Sequence, residues 1–298
     1  MKPVKIITDS CSDLTVELME KYDIDYARMF YRYNDVEKYA DLTWSETEVK
    51  ELYDLMRKGV RVTTAQVTAE EYTNLFTKYL DEGKDIVYLA CSGKLSNSIN
   101  TAKQVAEELM AKYEGAKVIC IDSLNACVAL GALAVEASKM AKDGMGADEV
   151  AEKITAMRKK VNQFCTLHSL KTMHKAGRVT GATAFFGNLL GVKPILICNA
   201  DGEQMAYKKV KGRGNSIKEI VAFAKEAIID GENQTIYFEH SDANKEEVEE
   251  VVKLIKAEIP CKDVYISYIG PIIGGTIGPE ALNIVCFGKE VTARNEEK

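Results

Sequence analysis

The chain has 298 residues, of which 46% are hydrophobic and 28% are charged, and its formal net charge is −6. This composition excludes a mainly disordered chain, and without a dominant Lys/Arg cluster it argues against nucleic acid as a partner. No apolar run approaches about 18 residues and no hydrophobic leader precedes the charged start, so we expect a cytoplasmic protein without an integral membrane segment.

Eight cysteines and three histidines are the residues best suited to hold a metal. No C-x-x-C pair occurs, and no histidine has metal-ligand spacing to another histidine or to a cysteine. Several cysteines lie in apolar, strand-like runs, which indicates buried free thiols. We therefore predict no metal site and no cofactor.

Three segments in the first half of the chain share one pattern, an apolar strand, a polar loop and an amphipathic helix. They are residues 4–22, 86–113 and 117–141. Short, continuously apolar strands that alternate with such helices are typical of a parallel sheet. The polar loops then gather at the carboxyl edge of the sheet, where open α/β proteins bind ligands.

Two helices are predicted between the first two of these segments. One covers residues 43–58 and is opened by Thr43 and Glu46, which have capping-box spacing, and the other covers residues 68–80 with the same pattern. Residues 28–38, rich in tyrosine and charge, are interpreted as strands or an irregular excursion.

Hydroxyl groups and free backbone N–H groups are concentrated in two of the connections. The loop after residues 86–91 contains Ser92, Gly93 and Ser96, at the start of a helix where an anionic head group finds unsatisfied donors. Thr64 lies in a short link between two helices, from which its hydroxyl can reach a cleft. Serine, threonine and asparagine also cap helices and form turns, so each group has a purely structural alternative.

The order of elements changes after a helix predicted over residues 147–161. Strands and helices then follow without βαβ alternation, at residues 164–167, 192–198, 205–211, 216–229, 235–240, 245–258, 264–268 and 283–287. We predict an α/β protein with an N-terminal parallel-sheet α/β domain, residues 1–160, and a C-terminal α+β domain, residues 161–298.

Short motifs recur along the whole chain in a specific order and spacing. They include Ile7-Thr8-Asp9-Ser10, Thr64-Ala65-Gln66-Val67-Thr68, Ser92-Gly93-Lys94-Leu95-Ser96, Gly177-Arg178-Val179 and Gly278-Pro279. Together they resemble the DegV family of bacterial fatty-acid-binding proteins. The resemblance implies one long-chain fatty acid, of the palmitate, stearate or oleate class, in a tunnel between two domains.

The resemblance also implies roles for individual residues. It places the fatty-acid carboxylate at Thr64 and Ser92, with backbone N–H groups around Gly93, and we add Ser96 and Thr276 to this set. Family members present the bound acid to a separate fatty-acid kinase, which makes an acyl phosphate for phospholipid synthesis. The protein itself is then a non-catalytic lipid carrier.

Arg178 and two departures from the family motif concern the kinase step. Arg178 matches the arginine that the family uses toward the kinase, although on its own it resembles a surface arginine after a helix end. Thr276 and Glu280 stand where the family usually has histidine and glycine. These changes make a pure binding or lipid-sensing role more credible.

An acyl chain needs an apolar tunnel, because about 15 methylenes contribute roughly 10 kcal/mol gross at about 0.8 kcal/mol each. A carboxylate at a helix N-terminus gains only about 0.3 to 1 kcal/mol. The tunnel candidates are Phe185, Phe186, Leu189, Ile272 and Ile273, for which ordinary core packing is the alternative.

A second class of function is a hydrolase or transferase that acts on a phosphorylated or acyl substrate. Ser92 or Ser96 would be its nucleophile, assisted by Asp9 or Asp122. The absence of a Gly-x-Ser-x-Gly elbow and of a nearby histidine in the sequence argues against this class.

Overall fold

The computed structural model describes residues 2–185 and 191–295. In chain order its strands are β1 (Val4–Asp9), β2 (Ile24–Ala27), β3 (Phe30–Tyr33), β4 (Val36–Tyr39), β5 (Val62–Ala65), β6 (Asp85–Ala90), β7 (Val118–Asp122), β8 (Val161–Thr166), β9 (Val192–Cys198), β10 (Gln204–Lys211), β11 (Thr235–His240), β12 (Asp263–Tyr268) and β13 (Leu282–Phe287). The helices are α1 (Val16–Tyr22), α2 (Glu46–Arg57), α3 (Ala69–Asp81), α4 (Ser98–Met110), α5 (Cys127–Lys142), α6 (Ala147–Met157), α7 (Lys171–Ala176), α8 (Arg213–Ala227), α9 (Lys245–Glu258) and α10 (Pro271–Ile277).

The N-terminal half is organised around a four-stranded sheet with the order β2-β1-β6-β7. All of its neighbouring strands are parallel. The three predicted strand, loop and helix segments supply β1, β6 and β7, and their polar loops lie at one edge. The predicted fold class is confirmed in this half.

The C-terminal half contains a six-stranded mixed sheet with the order β10-β9-β8-β13-β11-β12. Only the last pair is parallel, and the other pairs are antiparallel. This arrangement confirms the predicted change of architecture in the second half. The domain boundary at residue 160 stays a prediction.

A small antiparallel sheet, β4-β3-β5, accounts for the tyrosine-rich segment. Thr64 lies between α2 and α3, as predicted, but this link also forms the strand β5, in which Thr64 pairs with Tyr31 of β3. The β-branched run from Val62 to Thr64 favours an extended backbone, which the interpretation as a connection overlooked.

The predicted capping box at the start of α2 is displaced by two residues. Ser45 is the N-cap, and its Oγ accepts a hydrogen bond from Glu48 N at 3.3 Å while Glu48 Oε2 accepts one from Ser45 N at 2.8 Å. Leu42 N donates to Tyr26 Oη at 3.2 Å. Leu42 lies outside the helix in either frame, and the helix begins at the later of the two overlapping capping patterns.

Helix α5 lies between the two main sheets and joins their cores. It packs on β1 and β6 from one side and on β8, β11 and β13 from the other. Gly131 permits this close packing, since a Cβ there would lie 2.6 Å from the carbonyl oxygen of Ser12. The principal core therefore extends from the N-terminal sheet to Tyr237 and Val285 of the C-terminal sheet.

Within the described residues, no helix combines the length and the apolar character that are needed to cross a membrane.

Candidate functional site

A cavity of about 220 Å³ lies where the carboxyl edge of the parallel sheet meets the C-terminal half. Its lining comes from β5, from the loop after β6, from α7 and α10, and from β8, β11 and β13. Thr64 and Arg178 on its lining are exposed to solvent, whereas Glu239 and Asn283 are buried. The cavity therefore has an outer rim and an inner end, and the two ends differ in their chemistry.

Three of the predicted carboxylate-binding residues line this cavity from three different elements. They are Thr64 on β5, Ser96 in the loop after β6 and Thr276 on α10. The Thr276 hydroxyl donates to the carbonyl of Ile273 at 2.8 Å, and Ser96 Oγ lies 2.9 Å from Ser98 Oγ. Tertiary folding thus brings hydroxyl groups that are up to 212 residues apart in sequence to one rim.

Ser92 and Gly93 support the loop that carries Ser96. Ser92 is fully buried, and its hydroxyl donates to the carbonyl of Gly202 at 2.7 Å. Gly93 is exposed, but a Cβ there would lie 2.8 Å from Asp122 Oδ2. The hydroxyl of Ser92 is thus directed to the β9–β10 turn, and a role for it at the carboxylate stays a prediction.

Arg178 brings a positive charge to the rim. It follows Gly177, which ends α7 in the left-handed conformation with φ of 67°. Its Nε donates to the Leu95 carbonyl at 3.0 Å and its Nη1 to the Ala176 carbonyl at 2.9 Å. The guanidinium thereby links the C-terminal half to the loop after β6.

An adjoining cavity of about 340 Å³ shares Thr64, Arg178 and Thr276 with the first. Arg61 and Lys175 also line it, and both are exposed. Three basic side chains therefore surround the outer opening, which favours an anionic head group at this end.

The predicted tunnel residues fall into three groups. Ile272 is buried, Ile273 is half-buried, and both line the cavity. Phe185 is half-buried and packs, like Ile273, against the smaller core around Leu196. Phe186 and Leu189 lie outside the described residues.

The glycines of α10 serve packing within the protein. A Cβ at Gly274 would lie 2.3 Å from Tyr53 Oη, and a Cβ at Gly275 would lie 2.8 Å from Val62 Cγ1. They allow α10 to approach α2 and β5 closely, so that Ile272 and Ile273 reach the cavity.

The inner end of the cavity contains polar residues that sequence reasoning missed. Glu239 accepts hydrogen bonds from Asn283 Nδ2 at 2.7 Å and from the backbone N–H of Val128, in the first turn of α5, at 3.1 Å. Burial raises the pKa of Glu239 to about 7. The sequence pattern that could have indicated these residues is an acidic residue, Glu239, in the apolar strand β11 and an amide residue, Asn283, in the apolar strand β13.

The geometry gives little support to the hydrolase alternative. Ser92 donates to a backbone carbonyl and Ser96 contacts Ser98, and neither partner is a general base. Asp9 accepts hydrogen bonds from the backbone of Cys11 and Cys91, which holds the ends of β1 and β6 together. In this structural role, burial raises its pKa to about 6.

No group of three or more His, Cys, Asp or Glu is placed to hold a metal ion in residues 2–185 and 191–295. All eight cysteines are free thiols, and six of them are buried.

One departure from the family motif, Glu280, is contacted by several polar side chains. Glu280 adopts the left-handed conformation with φ of 66°, which suits glycine better than glutamate. Its carboxylate lies 3.0 Å from His168 Nε2 and 3.7 Å from Arg57 Nε, and its carbonyl accepts a hydrogen bond from Arg213. These contacts offset the backbone strain.

Comparison with known proteins relates the fold and the cavity to one family. Residues 3–289 match the family described as "Uncharacterised protein, DegV family". A DegV domain-containing protein of Clostridium perfringens is 33% identical over 288 residues, covering 97% of this chain and 98% of the relative.

Two solved structures from Thermotoga maritima have the same fold. A DegV lipid-binding protein has a TM-score of 0.84 at 26% identity, with 98% of this chain and 100% of that chain covered. A second protein, whose structure is described as revealing a fatty-acid-binding function, has a TM-score of 0.82 at 25% identity, with 97% and 100% covered.

Proposed function

Because this chain belongs to the DegV family, we propose that it binds one long-chain fatty acid, of the palmitate, stearate or oleate class, between its two halves. The observation that carries this proposal is the cavity itself, with basic and hydroxyl groups at its exposed rim and isoleucine and methionine side chains along its walls. Such a site accommodates an amphipathic anion in one orientation only.

The two parts of the ligand contribute differently to binding. A tail of about 15 methylenes gains roughly 10 kcal/mol gross from burial at about 0.8 kcal/mol each. The carboxylate gains less, because it exchanges water for hydroxyl, N–H and guanidinium donors. The apolar walls therefore supply the affinity, and Thr64, Ser92, Gly93, Ser96 and Thr276 orient the head group.

We further propose that the protein presents this carboxylate to a separate fatty-acid kinase in the cytoplasm, for acyl phosphate formation and phospholipid synthesis. Exposure of Thr64 and Arg178 supports this role, since a carboxylate held at the rim is accessible to a second protein. Among the described residues, the Ser92 hydroxyl contacts the Gly202 carbonyl and the Ser96 hydroxyl contacts Ser98, and we propose that the protein carries the lipid without reacting with it.

The first test is native mass spectrometry of the purified protein, followed by denaturing extraction and lipid identification. A stoichiometric long-chain fatty acid supports the proposal. A protein that is empty and also fails to bind added palmitate or oleate contradicts it.

The kinase step is tested separately with Arg178→Ala. We expect lipid binding to persist while acyl phosphate formation with the cognate kinase falls, because the guanidinium is exposed beside the head group. Lys171→Ala, an exposed change on α7, is the matched control. Equal turnover of Arg178→Ala and wild type would exclude this role of the arginine, and lipid binding without any kinase coupling would favour a lipid sensor.

A further inference from the structure

The inner end of the cavity is chemically unsuited to a plain hydrocarbon tail. Asn283 is 3% exposed and Glu239 is 0% exposed, yet both line the cavity together with Gln163 and Cys127. Polar atoms that face an apolar ligand lose hydrogen bonds to water and gain none in return. The arrangement therefore points to a polar group on the ligand itself.

The hydrogen bonds of Asn283 determine which of its atoms is available. Its Nδ2 donates to Glu239 Oε1 at 2.7 Å and also lies 3.8 Å from the Cys127 sulfur. Above its pKa of about 7 the Glu239 carboxylate can only accept, so the amide nitrogen must then face Glu239 and the amide oxygen must face away. Among the described residues, Asn283 Oδ1 is buried and has no hydrogen-bond partner.

The neighbouring polar groups are already engaged. Gln163 Nε2 donates to Asn125 Oδ1 at 2.8 Å, and Gln163 Oε1 accepts from the Cys127 thiol at 3.6 Å. Glu239 accepts from both Asn283 and Val128. The free position at the inner end is therefore a hydrogen-bond acceptor, and its partner must be a donor.

Electrostatics exclude the ligand carboxylate from this end. Glu239 is acidic, and burial together with the charge of Glu239 raises the pKa of the nearby Asp13 carboxyl well above its usual range. The basic residues Arg61, Lys175 and Arg178 all lie at the outer opening. The head group therefore binds at the rim, and only the acyl chain reaches Asn283.

We propose that the cavity selects long-chain fatty acids that carry a hydroxyl group on the acyl chain, and that Asn283 Oδ1 accepts the hydrogen bond from this hydroxyl. The proposal rests on the proposed fatty-acid-binding function and specifies its ligand class. An unsubstituted acid of equal length leaves this acceptor unpaired, which is the basis of discrimination.

The test is competitive binding of stearate against monohydroxylated stearates whose hydroxyl is moved stepwise from mid-chain to the methyl end. At least one positional isomer should bind the wild-type protein about tenfold or more tightly than stearate, which corresponds to one good hydrogen bond. Equal binding of stearate and every isomer overturns the proposal and indicates that water satisfies Asn283.

Two variants test whether Asn283 is the residue that causes the preference for a hydroxylated acid. Asn283→Leu should bring the ratio of hydroxystearate to stearate affinity to about one, because leucine has similar size and no acceptor. Thr64→Val, at the rim, should weaken stearate and hydroxystearate by the same factor and leave their ratio unchanged. If Asn283→Leu does not fold, the wild-type isomer series alone decides the question.

The outcome separates this inference from the proposed function. Binding of stearate without preference for any isomer overturns the inference and leaves the fatty-acid carrier intact. Failure to bind both stearate and the hydroxylated acids overturns both.

Discussion

The polar side chains at the two ends of the cavity differ in their exposure to water. At the rim, Thr64 and Arg178 are exposed, so water can satisfy them until a ligand arrives. At the inner end, Glu239 and Asn283 are buried and hydrogen-bond each other, and Asn283 Oδ1 has no partner in the part of the chain that the structure describes. Substitutions at the rim should therefore change ligand orientation with little effect on folding. Substitutions at the inner end should change protein stability and ligand specificity together.

The largest expected effect is the pH dependence caused by Glu239. Its pKa is about 7 in the folded protein against 4.5 for an unperturbed glutamate. A carboxyl with a raised folded pKa contributes stability that is fully present below about pH 4.5 and is lost as the pH rises through about 7. This contribution is about 3 kcal/mol, at about 1.36 kcal/mol per pKa unit.

The measurement is the free energy of unfolding by urea between pH 4.5 and pH 7.5, for wild type and for Glu239→Gln. Subtraction cancels the titrations of other buried groups such as Asp9 and His240, whose pKa values are also shifted by burial. The wild type should lose stability relative to the variant as the pH rises. Parallel curves would show that Glu239 does not titrate in this range.

The walls between the two ends are tested by Ile272→Ala. Because Ile272 is buried and also lines the cavity, we expect a loss of about 2 kcal/mol in the free energy of unfolding, at the low end for a buried isoleucine. Fatty-acid affinity should fall as well. Ile273→Ala, at a half-buried neighbour, is the matched control and should cost less stability. A larger loss of unfolding free energy for Ile273→Ala than for Ile272→Ala would show that Ile273, and not Ile272, forms the buried part of the wall.

At the rim, Thr64→Val and Ser92→Ala should separate ligand binding from folding. Thr64→Val should lower fatty-acid affinity about fivefold, the value of one hydrogen bond of about 1 kcal/mol, without changing unfolding. Ser92→Ala should also lower stability by about 1 kcal/mol, because the Gly202 carbonyl loses its donor. Calorimetric titration and urea unfolding measure the two effects. Unchanged lipid affinity in both variants would remove them from the carboxylate site.

The smallest expected effect is that of Glu280→Gly beside the rim. Glycine relieves the left-handed backbone but loses the contacts to His168 and Arg57 and adds entropy to the unfolded chain. These terms nearly cancel, so we expect a net change within about 0.5 kcal/mol. Thermal unfolding at low and high salt measures it. A loss well above this value would mean that the ion pairs dominate.

Several features were predictable from local sequence. The apolar runs that became β1, β6 and β7 indicated the parallel sheet, because short apolar strands that alternate with amphipathic helices are typical of one. The DegV resemblance, read from short motifs, is confirmed by the match over residues 3–289. Thr64, Ser96 and Thr276, three of the five residues predicted to hold the carboxylate, line one cavity, and the role of all five at a head group stays a prediction.

Other features were not predictable because they depend on partners distant in sequence. The strand β5, for example, requires pairing with β3. Glu239 appears in sequence as one acidic residue in an apolar strand, with no sign of its contacts to Val128 and Asn283.

The sequence by itself determined the class of fold, the family and the hydroxyl-bearing loops, since these follow from periodicity and from motifs that need no knowledge of distance. Only the tertiary structure decided that the cavity is basic at one end and acidic at the other. The physical reason is that α5 brings the two sheets together and places its first turn against Glu239 of β11. Desolvation and hydrogen bonding between distant segments, which no local pattern contains, then set the chemistry of the inner end.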